Sequence, residues 1–588
     1  MQNRPAPGNS MICDLRGATG HTAATSFAWC LDGRHGHGLE FATSGEACPA
    51  RLPSPARGWH RVFLGFQGAC GLRVRLAPRE PWFRRVETSV RWDTDASSGE
   101  ELHLGDADLT DVTFEFLPQA LLNRADRRQS RLAYLRLELL PEGPADSPHT
   151  SASRTGGAVI DGHETLGAYA PGSPDDVRGM LAPFVDSDFR RIHFGCTCTT
   201  MRLTYLTEVG YWLGQDQPLD SLHSEHNRRC AQSLQRAAAD GWDPVDVMID
   251  YARARDLELW TDFRIQQDYP CDYAGGFGHD FNSPFTEAHQ SWRHVDRHGR
   301  VCSHSFSHFH EGWEQYKLDL LAELARKGPA CLHLNLTCEL GALWDFAPHA
   351  VQRYRDETGD DPLAGEDPPE SWYRFRCDHL TEFMRRLRSQ TDTIAADLGR
   401  PIPIAVQVSG EWSILKAGKL VQAVSQNWLS GLDVGRWARE GLVDVISPSF
   451  RRTYKPMFLE HLYDELGPAR QQVQIVPSVG QHDNAVFPRG YEWGLYFTDE
   501  GADANDELVP FGELDAWRVL REAHDLYRQG ADAVDVWEMG SAPVRLARWD
   551  VLRRIGDRPW LEQQFGSRVG GLLGEPARPL RFSRRGSD

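Results

Sequence analysis

From about residue 11 to 140, hydrophobic and polar positions alternate in short runs, at 60–66, 71–76, 112–117 and 132–140, separated by Gly, Pro and Asp. A period of two in turn-bounded runs predicts strands with one buried face, hence an all-β sandwich domain over 11–140. Residues 141–157 are rich in Pro, Ser and Gly and offer no apolar face, so 141–160 reads as a linker.

Beyond the linker the pattern switches between two periods. Strand-like runs fall at 191–198, 257–264, 330–339, 401–409, 442–449, 472–480 and 531–537, with helical periodicity at 244–255, 311–327, 371–398, 434–441, 457–466, 514–529 and 544–555. Strand then helix, repeated over 161–560, means a parallel sheet wrapped by helices. Seven strands are clear. A (β/α)8-type TIM barrel with one hidden strand fits better than an open doubly wound sheet, because no GxGxxG or Walker loop follows any strand. The Arg-bearing stretch 561–588 reads as a surface tail.

The strand at 332–339 is the most informative. Leu332, Leu334, Leu336 and Cys338 share one face, while His333, Asn335, Thr337 and Glu339 share the other. If the Leu face packs on helices, the polar face looks into the barrel, with Glu339 at the C-terminal mouth where barrel chemistry is built. The competing structural reading is an antiparallel strand with one wet face. The same phase test puts Gln407, Ser409 and Glu411 inside, opposite Ile402, Ile404, Val406 and Val408. It also turns Asp262 inward, with Arg264 beside it as a partner, a pairing that is equally a structural ion pair. Glu538 falls in phase with Val534 and Val536 and faces helices unless a bulge intervenes. Asp483, with His482, sits in a mouth loop, where Asp is commonly a turn former.

Composition narrows the ligand. A 588-residue chain with net charge -19 supports more than one core and argues against nucleic-acid or anionic-membrane partners. No run approaches a membrane span and the N-terminus lacks the pattern of a secretory signal, so a cytoplasmic protein is expected. The 12 Cys are scattered without a CxxC pair and read as buried thiols, and nothing calls for a cofactor. The oligomeric state is left open.

Two carboxylates at neighbouring strand ends, one ionised and one held protonated, suit glycosidic bond cleavage, and Glu339 with Glu411 supply them. Trp is abundant at 19, and Trp344, Trp412 and Trp537 fall just past strand ends, where an indole face can stack on a sugar. Two other readings compete: a non-catalytic carbohydrate-binding barrel, and a metal hydrolase using His279, Asp280, His289, His294, His298, His304, His308 and His310. The second lacks an HxH or HExxH on the first strand, and the 279–310 segment reads as a lid or insertion. Neither a GxSxG elbow nor a strand-borne Lys is present for covalent catalysis.

Residues 251–264, the strand ending in Glu339, 383–388 and 530–537 resemble bacterial glycosyl hydrolase-like family ten barrels over about 160–560. More distantly, Val408 to Trp412 and Gln481 to Asn484 look like segments of α-amylase/α-galactosidase-like barrels. That resemblance implies a nucleophile position at Glu339, a general acid/base at Glu411 and a transition-state-stabilising acid at Asp483. It also implies a carbohydrate substrate, whose contacts the strand phases and strand-end positions assign to Asp262, Arg264, His333, Asn335, Trp344, Trp412, His482, Asp483, Trp537 and Glu538. Thr337-Cys338-Glu339 departs from the amylase pattern, whose nucleophile is an Asp with a nearby Arg. The N-terminal unit resembles the jelly-roll-like accessory sandwiches of such enzymes.

Overall fold

The computed structural model describes residues 10–581 apart from several stretches, the longer being 43–47, 89–97, 119–128, 144–153, 198–201, 266–279, 337–344, 411–413, 422–425, 450–456, 480–515, 538–548 and 567–579. Two antiparallel sheets make up the N-terminal region. One runs through Ala24–Leu31, Arg34–Ala42, Gln129–Leu139, Trp59–Gln67 and Ser98–Asp108; the other through Ala50–Pro53, Thr113–Pro118, Gly71–Ala77 and Arg84–Glu87. Their inward residues interdigitate in one apolar core, with Leu39, Val62, Leu64, Phe66 and Leu137 meeting Leu52, Leu72, Val74, Phe114 and Phe116. The 60–66, 71–76, 112–117 and 132–140 runs are these strands.

Eight parallel strands close into a barrel. They are β1 Gly156–Ile160, β2 Phe189–Gly195, β3 Glu258–Arg264, β4 Cys331–Asn335, β5 Ile404–Ser409, β6 Val445–Ser449, β7 in two pieces, Gln474–Ile475 and Ser478–Val479, and β8 Val534–Val536. Pairing of β1 with β8 closes the ring. β1 is the hidden strand, and it lies inside the segment expected to be linker. Its five residues, Gly-Gly-Ala-Val-Ile, are all buried and show no polar alternation. Crowding explains its glycines, since a Cβ on Gly157 would stand 1.8 Å from Asp535 Oδ1.

The helices begin and end on local signals. Ser224 and Asp243 cap Glu225–Asp240 and Pro244–Ala254 through their side chains, and Gly241, Gly328 and Gly399 close helices in the left-handed conformation. The helices Gly162–Tyr169, Pro174–Val185, Glu225–Asp240 and Pro348–Thr358 come in addition to those the periodicity indicated. Among the described residues no helix is long and apolar enough to cross a membrane.

The two units touch along one side of the barrel. Arg553 Nη2 stands 3.5 Å from Asp106 of the sandwich, and its Nη1 donates to Asp186 at 3.1 Å. Part of the presumed tail is integrated, because Leu580–Arg581 pairs antiparallel with Ser98 and Gly99.

Candidate functional site

Strand phase sorts the barrel residues into an outer apolar shell and a graded interior. Ile192, Phe194, Leu332, Leu334, Ile404, Val406, Val534 and Val536 join the large core beneath the helices. Facing inward at the bottom, Trp260, Cys331, Ala405, Val445, Val476 and Ala533 form an apolar plug. Above them the interior turns polar: Arg191, His193, Asp262, His333, Gln407, Ser447, Ser478 and Asp535 are all buried. Barrel interiors are usually filled by branched aliphatic side chains. Ionised groups there are costly unless paired, and their presence marks a functional site more often than a stabilising one.

These groups form two carboxylate–imidazole pairs. His333 Nδ1 lies 2.6 Å from Asp262 Oδ1 across the β3–β4 register, in which the two residues are direct neighbours. Asp262 therefore pairs with His333 and not, as the sequence suggested, with Arg264. Residues two apart on a strand share a face at roughly 6–7 Å, whereas a register neighbour is only about 4.8 Å away. On the other side, His193 Nε2 stands 3.0 Å from Asp535 Oδ2, and Arg191 donates to Asp535 Oδ1 at 3.1 and 3.2 Å. Burial alone would raise Asp535, but His193 and Arg191 together hold it down at about 2. Burial lowers His193, against the pull of Asp535. The two imidazoles meet edge to face, their ring centres 4.7 Å apart, and His193 also packs 4.6 Å from Trp260.

At the C-terminal mouth, Arg264 ends β3 and donates from Nη2 to Asp161 Oδ2 at 2.6 Å. Asp161 directly follows β1, in phase with the inward Gly157 and Val159. Its other oxygen, Oδ1, lies 2.6 Å from His163 Nδ1. Burial opposes ionisation of this carboxyl, yet His163 and Arg264 hold it well below the usual carboxylate range. Conversely, burial would lower His163 and Asp161 raises it. Behind His163 stand Phe281 and His226, both edge-on. Gly162 is needed between the two side chains, because a Cβ there would come 1.9 Å from the Gly195 carbonyl oxygen.

Of the residues expected at the site, Asp262, Arg264, His333, Asn335 and Trp537 are buried on the inward face or at the end of inward-facing strands. Trp537 donates its backbone N–H to Val479 at 2.9 Å, closing β8 on β7. Glu339, Trp344, Glu411, Trp412, His482, Asp483 and Glu538 lie outside the described residues. Sequence reasoning missed Asp161, His163, Arg191, His193 and Asp535. The signal for three of them was present: Arg191 and His193 alternate with Ile192 and Phe194, and Asp535 stands between two inward-excluded valines.

The His-rich segment is largely built into the scaffold. Asp280 accepts from the backbone N–H groups of His223 and Ser224 and from Asn227 Nδ2, anchoring the start of Glu225–Asp240. Arg293–Val295 and Val301–Phe306 form a hairpin. His294 faces Asp345 at 3.1 Å, and Ser307 donates to the same carboxylate at 2.5 Å. Among the described residues no group of three or more His, Cys, Asp or Glu is placed to hold a metal.

No family model matches the chain, and no curated protein does. Solved structures similar to it include α-L-fucosidase isoenzyme 2 from Paenibacillus thiaminolyticus, at 13% identity and TM-score 0.41, covering 70% of this chain and 50% of that one. The glycoside hydrolase domain of PgaB from Bordetella bronchiseptica aligns at 10% identity and TM-score 0.41, covering 67% and 97%. The catalytic domain of β-amylase from Paenibacillus polymyxa aligns at 8% identity and TM-score 0.40, covering 68% and 98%. The chain thus spans half the length of the fucosidase and nearly all of the other two domains.

Proposed function

We propose that the chain is a glycoside hydrolase in which Glu339 and Glu411 act as a carboxylate pair at the barrel mouth. The observation that carries this reading is the register of β4 against β5. Asn335 lies directly opposite Gln407, and the Leu336 N–H donates to the Gln407 carbonyl at 3.0 Å. Glu339 and Glu411 each follow that matched pair by four residues, in phase with the inward face. By alternation alone, the sequence assigns one acid to each of two neighbouring parallel strands, at the same count beyond a matched register pair. One acid protonates the leaving oxygen while the other serves as nucleophile or base. Arg264, Asn335, Trp344, Trp412, His482, Asp483, Trp537 and Glu538 are assigned to sugar contacts. Asp262 and His333 support the mouth from the layer beneath.

The test is turnover of a panel of aryl-glycosides and natural oligosaccharides by the wild type, Glu339→Gln and Glu411→Gln, with folding checked by circular dichroism. Loss of a general acid or base lowers the rate by roughly 10²–10⁴-fold. Undiminished turnover in both variants would overturn the assignment. Saturable glycan binding without turnover by the wild type would identify a binding protein instead.

A further inference from the structure

The mouth-floor cluster of Asp161, His163 and Arg264 has a charge balance that bears on the kind of sugar the barrel accepts. Arg264 and Asp161 come from strands separated by β2, so the guanidinium must cross the end of that strand to reach the carboxylate 2.6 Å away. β2 ends there in Gly195, where a Cβ would stand 2.9 Å from the Gly162 nitrogen and 3.5 Å from the Asp161 Cα. Any larger residue would press on the Gly162 nitrogen, next in the chain to Asp161. The Arg264 backbone N–H is itself held by Thr197 Oγ1 at 3.0 Å. On its far side, Asp161 is braced by His163 at 2.6 Å, and both side chains, like that of Arg264, are about nine-tenths buried, at 11%, 6% and 9% exposure. Arg264 is thus fixed at backbone and head group, and its charge is met by a carboxylate.

We propose that Asp161 is the positioning residue of the mouth floor: it orients the Arg264 guanidinium and cancels its charge, so that the site takes an uncharged pyranoside in preference to a uronic or other acidic sugar. A planar guanidinium beside an ionised carboxylate offers donors and acceptors without net charge, which matches the hydroxyl groups of a neutral sugar. An acidic sugar needs an arginine whose charge is unspent, since recognition of its carboxylate rests on a charge-assisted fork. His163 and the adjacent Glu164, on the first turn of Gly162–Tyr169, add one further charge of each sign and leave the balance unchanged while His163 is protonated. The inference rests on the glycosidase reading for the identity of the ligand.

The experiment is calorimetric titration of the full chain with methyl hexopyranosides and the matching methyl hexuronides. The wild type is expected to prefer the neutral series. Asp161→Asn, nearly isosteric, is expected to lose about tenfold in affinity for the neutral glycoside and to gain about tenfold for the uronide. A double variant with Asp161→Asn and Arg264→Gln, again without net charge, loses that gain. Should Asp161→Asn fail to fold by near-UV circular dichroism, Arg264→Lys keeps the charge balance and removes the fork: weaker neutral-sugar binding with no new uronide binding supports the proposal. Unchanged affinities in folded Asp161→Asn, unchanged neutral-sugar affinity in Arg264→Lys, or a wild type that prefers uronides, overturns it and leaves the glycosidase reading standing. Binding of neither series by the wild type overturns this proposal, while the glycosidase reading stands or falls on the turnover panel.

Discussion

The sandwich and the barrel obey the same two-residue alternation and spend it differently. In the sandwich, both inward faces are aliphatic or aromatic, and charges such as Glu115, paired with Arg51 and Arg75, stand on the outer face of a sheet. In the barrel, the alternation that seats Ile192 and Phe194 under the helices turns Arg191 and His193 inward, where they meet Asp535. An apolar core gains from burial in proportion to area and has no preferred orientation. A buried ionic layer gains little net free energy but has few acceptable geometries. The first arrangement tolerates many packings, and the second holds the strands that carry it to few.

The contrast can be broken most directly by removing one group from each interior. Asp535→Asn leaves Arg191 charged and poorly paired in the barrel, and we expect a loss of about 3–5 kcal/mol in urea unfolding. Phe114→Ala opens a cavity in the sandwich and is expected to cost a similar ~3–5 kcal/mol. Under the proposed glycosidase reading only the first also disturbs sugar binding, so equal effects on binding would erase the distinction.

A smaller effect comes from pH. Asp535 is held at about 2 against its ordinary 3.8, so its contribution is complete above the unfolded value and is lost as pH falls through about 2. His193, also lowered, acts in the same direction: the unfolded chain takes up its proton first as pH drops below 6.5, which weakens the fold. Thermal melts from pH 7 to pH 2 should therefore show barrel stability falling progressively, and Asp535→Asn should flatten the low end of that curve.

Gly157→Ala tests the packing of β1 against the ionic layer. Its Cβ would meet Asp535 Oδ1 at 1.8 Å, and overpacking of this kind costs roughly 1–3 kcal/mol. Gly241→Ala, with open space around its Cβ, is limited to the strain of its left-handed backbone, about 1 kcal/mol. The smallest effect is expected on the surface, where Arg385→Ala removes an exposed pair with Glu440 and should change stability by less than about 1 kcal/mol.

Strand phase read the inward faces of β3 and β4. Asp262, Arg264, His333 and Asn335 face inward as their alternation requires, because in a strand the side of each residue is set by its neighbours alone. The same rule applied to 191–194 and 534–536 would have found Arg191, His193 and Asp535. It had no purchase on β1, whose short run of small apolar residues alternates with nothing, and so Asp161 beyond it was invisible as a mouth residue.

By itself the sequence determined two units, one all-β and one of repeated strand and helix, since periodicity records which face of each element is buried. It also determined which residues of β3 and β4 look inward. Only the tertiary structure decided that Asp262 belongs to His333, that Arg264 crosses β2 to Asp161, and that β1 and β8 close the ring. Those are matters of register and closure between segments up to several hundred residues apart, and local alternation constrains a residue's side without naming its partner.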